Sequence, residues 1–344
     1  MELNYRLYFL EFIHPFGVSS NTRRETPSVF IELDANDNRG YGEACLPAYL
    51  GETVEATISF FNLAKSYLKK LKIPFDVETC MADIDSLKEG HNAAKAAIDI
   101  ALHDLKGKID GKSVAQFYGL SEMDSGITSF TIGIDSEPVL AQKIKEAEEF
   151  RILKIKAGTS DDKALMNMIR KYTDKPLYVD VNQGWKNKEH ALEMAMFMKD
   201  ENVLLLEQPM PVNMKKEMAW LTERSPVPTF GDESVKRLKD LKELDGAFHG
   251  VNIKLMKSAG LSEALKMIDF CKEKKIKVFL GCMAESSCAT GAMAQIISLA
   301  DHIDLDAPLL YKNDPFEGIH YKNGRISPGS SPGIGVKPQV ELFK

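Results

Sequence analysis

A chain of 344 residues, 44% hydrophobic and 27% charged, has material for a sizeable core and exceeds one small domain. A formal net charge of −6 with no basic stripe argues against nucleic acid, charges in Met1–Arg6 against a signal peptide, and the short apolar stretch 289–300 against a membrane span. The five cysteines form no CxxC pair and the seven histidines no HxH or HxxxH, which points to a reduced, cytoplasmic setting without a zinc site.

Residues 3–13 and 28–33 are rich in Leu, Phe, Ile and Val and predict two antiparallel strands. The polar link between them, His14 to Thr26, is long for a hairpin and predicts a mobile loop with a function. A second loop is expected over residues 42–53. Helical patterns follow to about residue 120. The clearest runs from Asn92 to Leu105, where small residues allow close approach of another backbone. Residues 1–124 therefore read as an α+β domain.

From about residue 128 short apolar strands alternate with amphipathic helices. The strands are expected at 130–134, 152–156, 177–181, 203–207, 229–231, 250–254, 277–281 and 303–309. Helices such as 189–199, 235–244 and 262–274 lie between them. Eight strands with seven intervening helical segments, repeating about every 25 residues, predict an α/β fold with a parallel TIM-type barrel over 125–312. Residues 313–344, broken by Pro328, Gly329, Pro332, Gly333 and Gly335, are expected to return to the first domain.

Barrel active sites lie at the C-terminal ends of the strands. The second strand ends in Lys154 and Lys156, on one face by the two-residue alternation. The third ends in Asp180 and Asn182, and the fourth in Glu207. The fifth leads into Asp232 and Glu233. The sixth carries Lys254, and nearby Lys257 reads as solvated. Asp180, Glu207 and Asp232 would converge from consecutive strands, and three carboxylates in a small volume require a cation. Hard oxygen ligands with positions left for water and substrate suit Mg²⁺. A metal between two opposed lysines would stabilise an enediolate while one lysine removes an α-proton and the other returns one to the opposite face. That chemistry is racemisation or epimerisation.

Lys154-Ile-Lys156, Asp180-Val-Asn182, Glu207-Gln-Pro209, Asp232-Glu-Ser234 and Lys254, in this order and spacing, resemble the enolase superfamily and within it the muconate-lactonizing-enzyme subgroup. The resemblance covers essentially the whole chain. It implies a modified (β/α)₇β barrel, an α+β capping domain and a C-terminal tail that completes the cap. It also implies Lys156 and Lys254 as acid/base residues, and Lys154 as the residue that depresses the Lys156 pKa and steadies the enolate. One Mg²⁺ per active site would be held by Asp180, Glu207 and Asp232, with Asn182 and Glu233 behind them. Relatives are often oligomers, so a homo-oligomer is compatible with it.

Asp304-Leu-Asp306 in the eighth strand directs two carboxylates into the pocket opposite the lysines, where they call for a cation other than the metal. The α-ammonium group of a dipeptide is one. This motif resembles the dipeptide epimerases, as do Thr131-Ile-Gly133 and Gly281-Cys-Met283-Ala-Glu285, which adds Thr131 and Met283 to the candidate substrate-binding residues. In relatives the two loops of the first domain close over the barrel mouth. Arg23 or Arg24 could then meet an acidic side chain on the substrate's second residue, as in L-Ala-D/L-Glu, or be solvated, and Tyr49 and Leu50 could cover it. Two other readings stay open: an o-succinylbenzoate synthase or N-acylamino acid racemase on the same scaffold, and a catalytically silent peptide-binding barrel.

Overall fold

The computed structural model describes the chain except residues 19, 20, 36, 47–49, 121–124, 245 and 344 and the side chains of Phe16, Val18 and Asn21. The chain opens with three antiparallel strands, β1 (Glu2–Val18), β2 (Asn21–Ala35) and β3 (Asn38–Cys45), with β2 in the middle. Helices α1 (Val54–Leu68), α2 (Val77–Ser86), α3 (Asn92–Asp110) and the single turn α4 (Val114–Phe117) follow. The small residues of α3 meet two glycines of β3: a Cβ on Gly40 would lie 2.2 Å from the Ala101 carbonyl, and one on Gly42 1.9 Å from that of Ala97. Larger residues on either side would separate sheet and helix.

Where a loop is expected over 14–26, the described residues, 14–18 and 21–26, lie in strands. β1 and β2 continue past Glu11↔Glu25 as one ribbon, with Phe16↔Arg23 and Gly17↔Thr22 paired beyond a bulge. The ribbon keeps its pairing because it rests on the barrel: Phe12 bridges Tyr311, and Ile134 N–H donates to the Gly17 carbonyl at 3.1 Å. Likewise Gly42–Cys45, expected to start the second loop, belong to β3 and pair with Ser28–Ile31.

After the short strand β4 (Gly126–Ile127) come the barrel strands β5 (Ser129–Ile132), β6 (Ile152–Lys156), β7 (Leu177–Asp180), β8 (Val203–Glu207), β9 (Thr229–Gly231), β10 (Gly250–Ile253), β11 (Lys277–Gly281) and β12 (His302–Asp304). They form one parallel sheet in sequence order, closed by a Thr128↔Ile303 bridge. The helices between them are α5 (Glu137–Glu146), α6 (Asp162–Arg170), α7 (Lys188–Asp200), α8 (Lys215–Arg224), α9 (Leu238–Lys242), the turn α10 (Leu255–Ser258) with α11 (Leu261–Lys274), and α12 (Ser287–Ala294). Two expectations need correction. The eighth strand ends at Asp304, because a 3₁₀ turn with Pro308 in its first turn replaces it over Ala307–Leu310. The helix expected at 235–244 is only the five residues of α9.

Residues 313–344 form β13 (Phe316–Glu317), β14 (His320–Lys322), β15 (Arg325–Ser327) and β16 (Lys337–Pro338). Phe316 packs on Phe30 and Tyr41 of the first domain, and Phe343 stacks on Tyr41. The β14–β15 hairpin joins β4, and Gly324 accepts from Thr128 N–H at 3.1 Å, so this segment touches the barrel as well. No helix among the described residues is long and apolar enough to cross a membrane.

Candidate active site

Alternation along the barrel strands sorts the interior into layers. Tyr178, Leu205, Phe230 and Phe279 form a buried apolar floor, with the His302 ring edge-on to Tyr178, Phe230 and Phe279. Two residues further along the same strands stand Asp180, Glu207, Asp232, Gly281 and Asp304. Lys154 sits in this layer, its Nζ 5.6 Å from the centre of the Phe279 ring. The parallel register sets Lys156 beside Asp180 and Asp180 beside Glu207.

The charges are paired one to another. Lys156 Nζ lies 2.6 Å from Asp180 Oδ2, and Lys254 Nζ 2.8 Å from Asp232 Oδ2. Lys154 Nζ contacts Glu207 Oε2 and Asp304 Oδ2, each at 2.7 Å, and Asp180 Oδ2 at 3.4 Å. Glu207 Oε1 accepts from Asn252 Nδ2 at 2.7 Å and lies 3.8 Å from Lys254. The Asn252 amide fits because the neighbouring β11 ends in glycine: a Cβ on Gly281 would lie 2.4 Å from Asn252 Oδ1.

The titration of these groups follows from burial and partners. Burial alone would push the Asp232 carboxyl up, but Lys254 and Lys257 hold it well below the usual carboxylate range. Asp180 is likewise lowered, Lys156, Lys154 and Lys254 outweighing its burial. Glu207 is raised by burial and by Asp180. Burial disfavours the Lys154 ammonium, yet Asp304, Glu207 and Asp180 together raise its pKa well above that of a free lysine. Burial and the neighbouring Asp232 and Asp180 charges push Glu233 up to about 7.

Asp304 is not opposite the lysines. Barrel closure brings β12 within reach of β6, and Asp304 is a direct partner of Lys154, its other oxygen accepting from Ser129 Oγ at 2.6 Å. Asp306 accepts from Thr131 N–H at 2.5 Å and from Thr131 Oγ1 at 3.2 Å. Among the described residues Asp306 forms no ion pair of the kind Asp304 makes with Lys154, and burial and the Asp304 charge push its carboxyl up to about 7, with Lys154 offsetting this only in part. Met283 is buried past the end of β11.

Of the two arginines, Arg24 is exposed. Arg23 is half-buried and donates to Thr26 Oγ1 at 3.5 Å; burial pushes the Cys45 thiol and the Tyr311 hydroxyl well up, and the Arg23 charge offsets a part of both rises. The inward arginine is Arg23, since adjacent strand residues face opposite ways. Tyr49 lies outside the described residues.

Lys257, expected to be solvated, is buried and bonded to Asp232. Asn252 and Ser129 carry no comparable sequence signal, and Gln208 stands out only as the middle of Glu207-Gln-Pro209. Gln208 Oε1 accepts from the backbone N–H groups of Asp232 and Ser234 and so shapes the turn after β9. The only sequence cue for Lys257 is its place one helical turn after Lys254.

Among the described residues no three His, Cys, Asp or Glu side chains form a ready-made metal cage, because lysines bridge the carboxylates. The donor chemistry nevertheless fits a hard divalent cation. Asp180, Glu207 and Asp232 are buried at adjacent strand ends, and Asn182 Oδ1 and Glu233 Oε2 beside them are buried without a hydrogen-bond partner.

A closed parallel barrel with lysines from its second and sixth strands, carboxylates from the third to fifth, and an α+β cap over the mouth defines an enolase-type isomerase of the racemase and epimerase kind. Residues 8–119 match the mandelate racemase/muconate lactonizing enzyme N-terminal domain and residues 139–342 the enolase C-terminal domain-like family, and the chain belongs to this family. It is 44% identical over 337 residues to the L-Ala-D/L-Glu epimerase of Bacteroides thetaiotaomicron, covering 98% of this chain and 88% of that protein. A substrate-liganded L-Ala-D/L-Glu epimerase from Bacillus subtilis superposes with a TM-score of 0.92 at 27% identity, covering 98% and 99% of the two chains. A dipeptide epimerase from Enterococcus faecalis, complexed with Mg and L-Leu-L-Tyr, superposes with a TM-score of 0.91 at 29% identity over 98% of this chain and 99% of that one.

Proposed function

We propose that the protein epimerises dipeptides of the L-Ala-X type at the α-carbon of the C-terminal residue, with L-Ala-D/L-Glu of murein peptides as the leading substrate. The observation that carries this reading is the arrangement of Lys156 and Lys254 at the two ends of the row Asp180–Glu207–Asp232, each bonded to a different terminal carboxylate. Asp180, Glu207 and Asp232 would hold one Mg²⁺, with Asn182 and Glu233 behind them. When bound, the ion supplies positive charge against the negative charge that develops on the substrate carboxylate as the α-proton leaves.

The remaining steps belong to the chain's own groups. Lys156 Nζ removes or returns the α-proton on one face and Lys254 Nζ does so on the other. Lys154, held by Asp304 and Glu207, keeps a fixed positive charge beside them. Asp306 receives the substrate ammonium, which favours its ionised form, while Asp304 acts at one remove through Lys154. Thr131 fixes Asp306, and Met283 walls the pocket. Arg23 meets an acidic second side chain, and the β1–β2 ribbon with β3 excludes water from the mouth. The five cysteines are free, consistent with work in the cytoplasm.

The test is ¹H NMR of L-Ala-L-Glu and other L-Ala-X dipeptides in D₂O with Mg²⁺. Deuterium at the second α-carbon with appearance of the D-epimer is expected, and no exchange across the panel would sink the reading. Full activity in Asp306→Ala would favour the N-acylamino acid racemase reading instead.

A further inference from the structure

Lys257 has no part in the chemistry above, yet it is fully buried beside it. A buried ammonium costs several kcal/mol unless well paired. Lys257 is paired completely: its Nζ lies 2.5 Å from Asp232 Oδ1, 2.6 Å from the Asp232 carbonyl and 2.9 Å from the Asn252 carbonyl. An ammonium has three donors, and all three are spent. Lys257 therefore has no donor left for a substrate. Gripping both the main-chain oxygen and one carboxylate oxygen of Asp232 fixes that side chain, so that the other oxygen faces Lys254 at 2.8 Å. The same turn holds Lys254 through its backbone, because Lys257 and Ser258 N–H both donate to the Lys254 carbonyl at 2.9 and 3.0 Å.

The other side of the site repeats the pattern. Lys156 faces Asp180, and buried Lys154 stands behind the same carboxylate oxygen at 3.4 Å. Each outer lysine thus shares its carboxylate with a buried inner one. On β6 the inner lysine is two residues before the outer, by strand alternation, and after β10 it is three residues beyond, by one helical turn.

We propose that Lys257 is a positioning residue for Lys254, the inner member of a second lysine pair that aims Lys254 through Asp232. The proposal rests on the reading of Lys254 as one of two proton-transfer lysines. It is tested by following α-deuterium exchange of each epimer of L-Ala-Glu separately in D₂O with Mg²⁺. Wild type, Lys156→Ala, Lys254→Ala, Lys257→Met and Lys257→Gln are compared, with circular dichroism melts confirming that each is folded. The two alanine variants show which epimer each outer lysine serves. Lys257→Met is expected to slow exchange on the Lys254 face by about 100-fold, the effect of an ångström-scale misplacement, and the Lys156 face at least tenfold less. Lys257→Gln, which keeps two donors, should recover part of the loss on that face. Equal loss on both faces, full activity, or failure of both Lys257 variants to fold would each overturn the proposal. Absence of any exchange by wild type would overturn the epimerase reading itself, and this inference with it.

Discussion

Two groups of buried carboxylates differ in their partners. At the barrel mouth Asp180, Glu207, Asp232 and Asp304 face lysine ammonium groups. At the seam between cap and barrel, Asp99 and Glu43 face helix N-terminal N–H groups and serine hydroxyls, with His103 Nδ1 also 3.3 Å from Asp99. Asp99 of α3 accepts from Leu261 N–H at 2.5 Å and Ser262 N–H at 3.3 Å, capping α11 from another domain. Glu43 of β3 accepts from Ser286 N–H at 3.0 Å and Ala289 N–H at 3.2 Å and caps α12. A helix N-terminus is a fixed donor array that stabilises a carboxylate without moving. A lysine can swing, yield its carboxylate to a cation and release a proton. The seam therefore holds position, and the mouth can do chemistry.

The largest effects are expected at the mouth. Lys156→Ala and Lys254→Ala should each lower epimerisation turnover by about 10²–10⁴-fold in a polarimetric or NMR assay. Chelation followed by dialysis should reduce turnover by roughly 100-fold, with Mg²⁺ restoring it. A chelated enzyme that keeps full turnover would remove the cation from the account of the mouth. At the seam, Asp99→Ala strands the α11 donors and should cost about 3 kcal/mol of unfolding free energy, read from the denaturant midpoint. Turnover per folded molecule should change less than twofold, and a larger fall would mean that the seam also does chemistry.

The pH dependence separates the regions further. Burial pushes the Glu43 carboxyl from 4.5 up to about 7, so the folded state holds its proton more tightly than the unfolded chain. This contribution to stability is fully present below pH 4.5 and is lost as pH rises through about 7. Glu43→Gln should flatten the unfolding free energy between those limits by on the order of 1–3 kcal/mol. The smallest effect is expected on the ribbon: Arg23→Ala should raise KM for an acidic second residue by about tenfold, and exposed Arg24→Ala should leave it unchanged.

The alternation of strands and helices, the (β/α)₇β order and the strand-end positions of Lys154, Lys156, Asp180, Glu207, Asp232 and Lys254 are legible in the linear sequence. The reason is that strand periodicity is local: once a strand is recognised, alternation decides which residues face inward, and parallel order decides which end they occupy. Pairing is not local. Lys154 meets Asp304 across 150 positions because the barrel closes between β5 and β12. Lys257 is drawn inward because α10 turns it onto Asp232, and Arg23 rather than Arg24 faces the protein because the ribbon lies across the barrel ends. The sequence by itself determined the class of fold and the inventory of charged groups. Only the tertiary structure decided which charge neutralises which, because burial removes water as the alternative partner and leaves each charge to the neighbours that chain closure supplies.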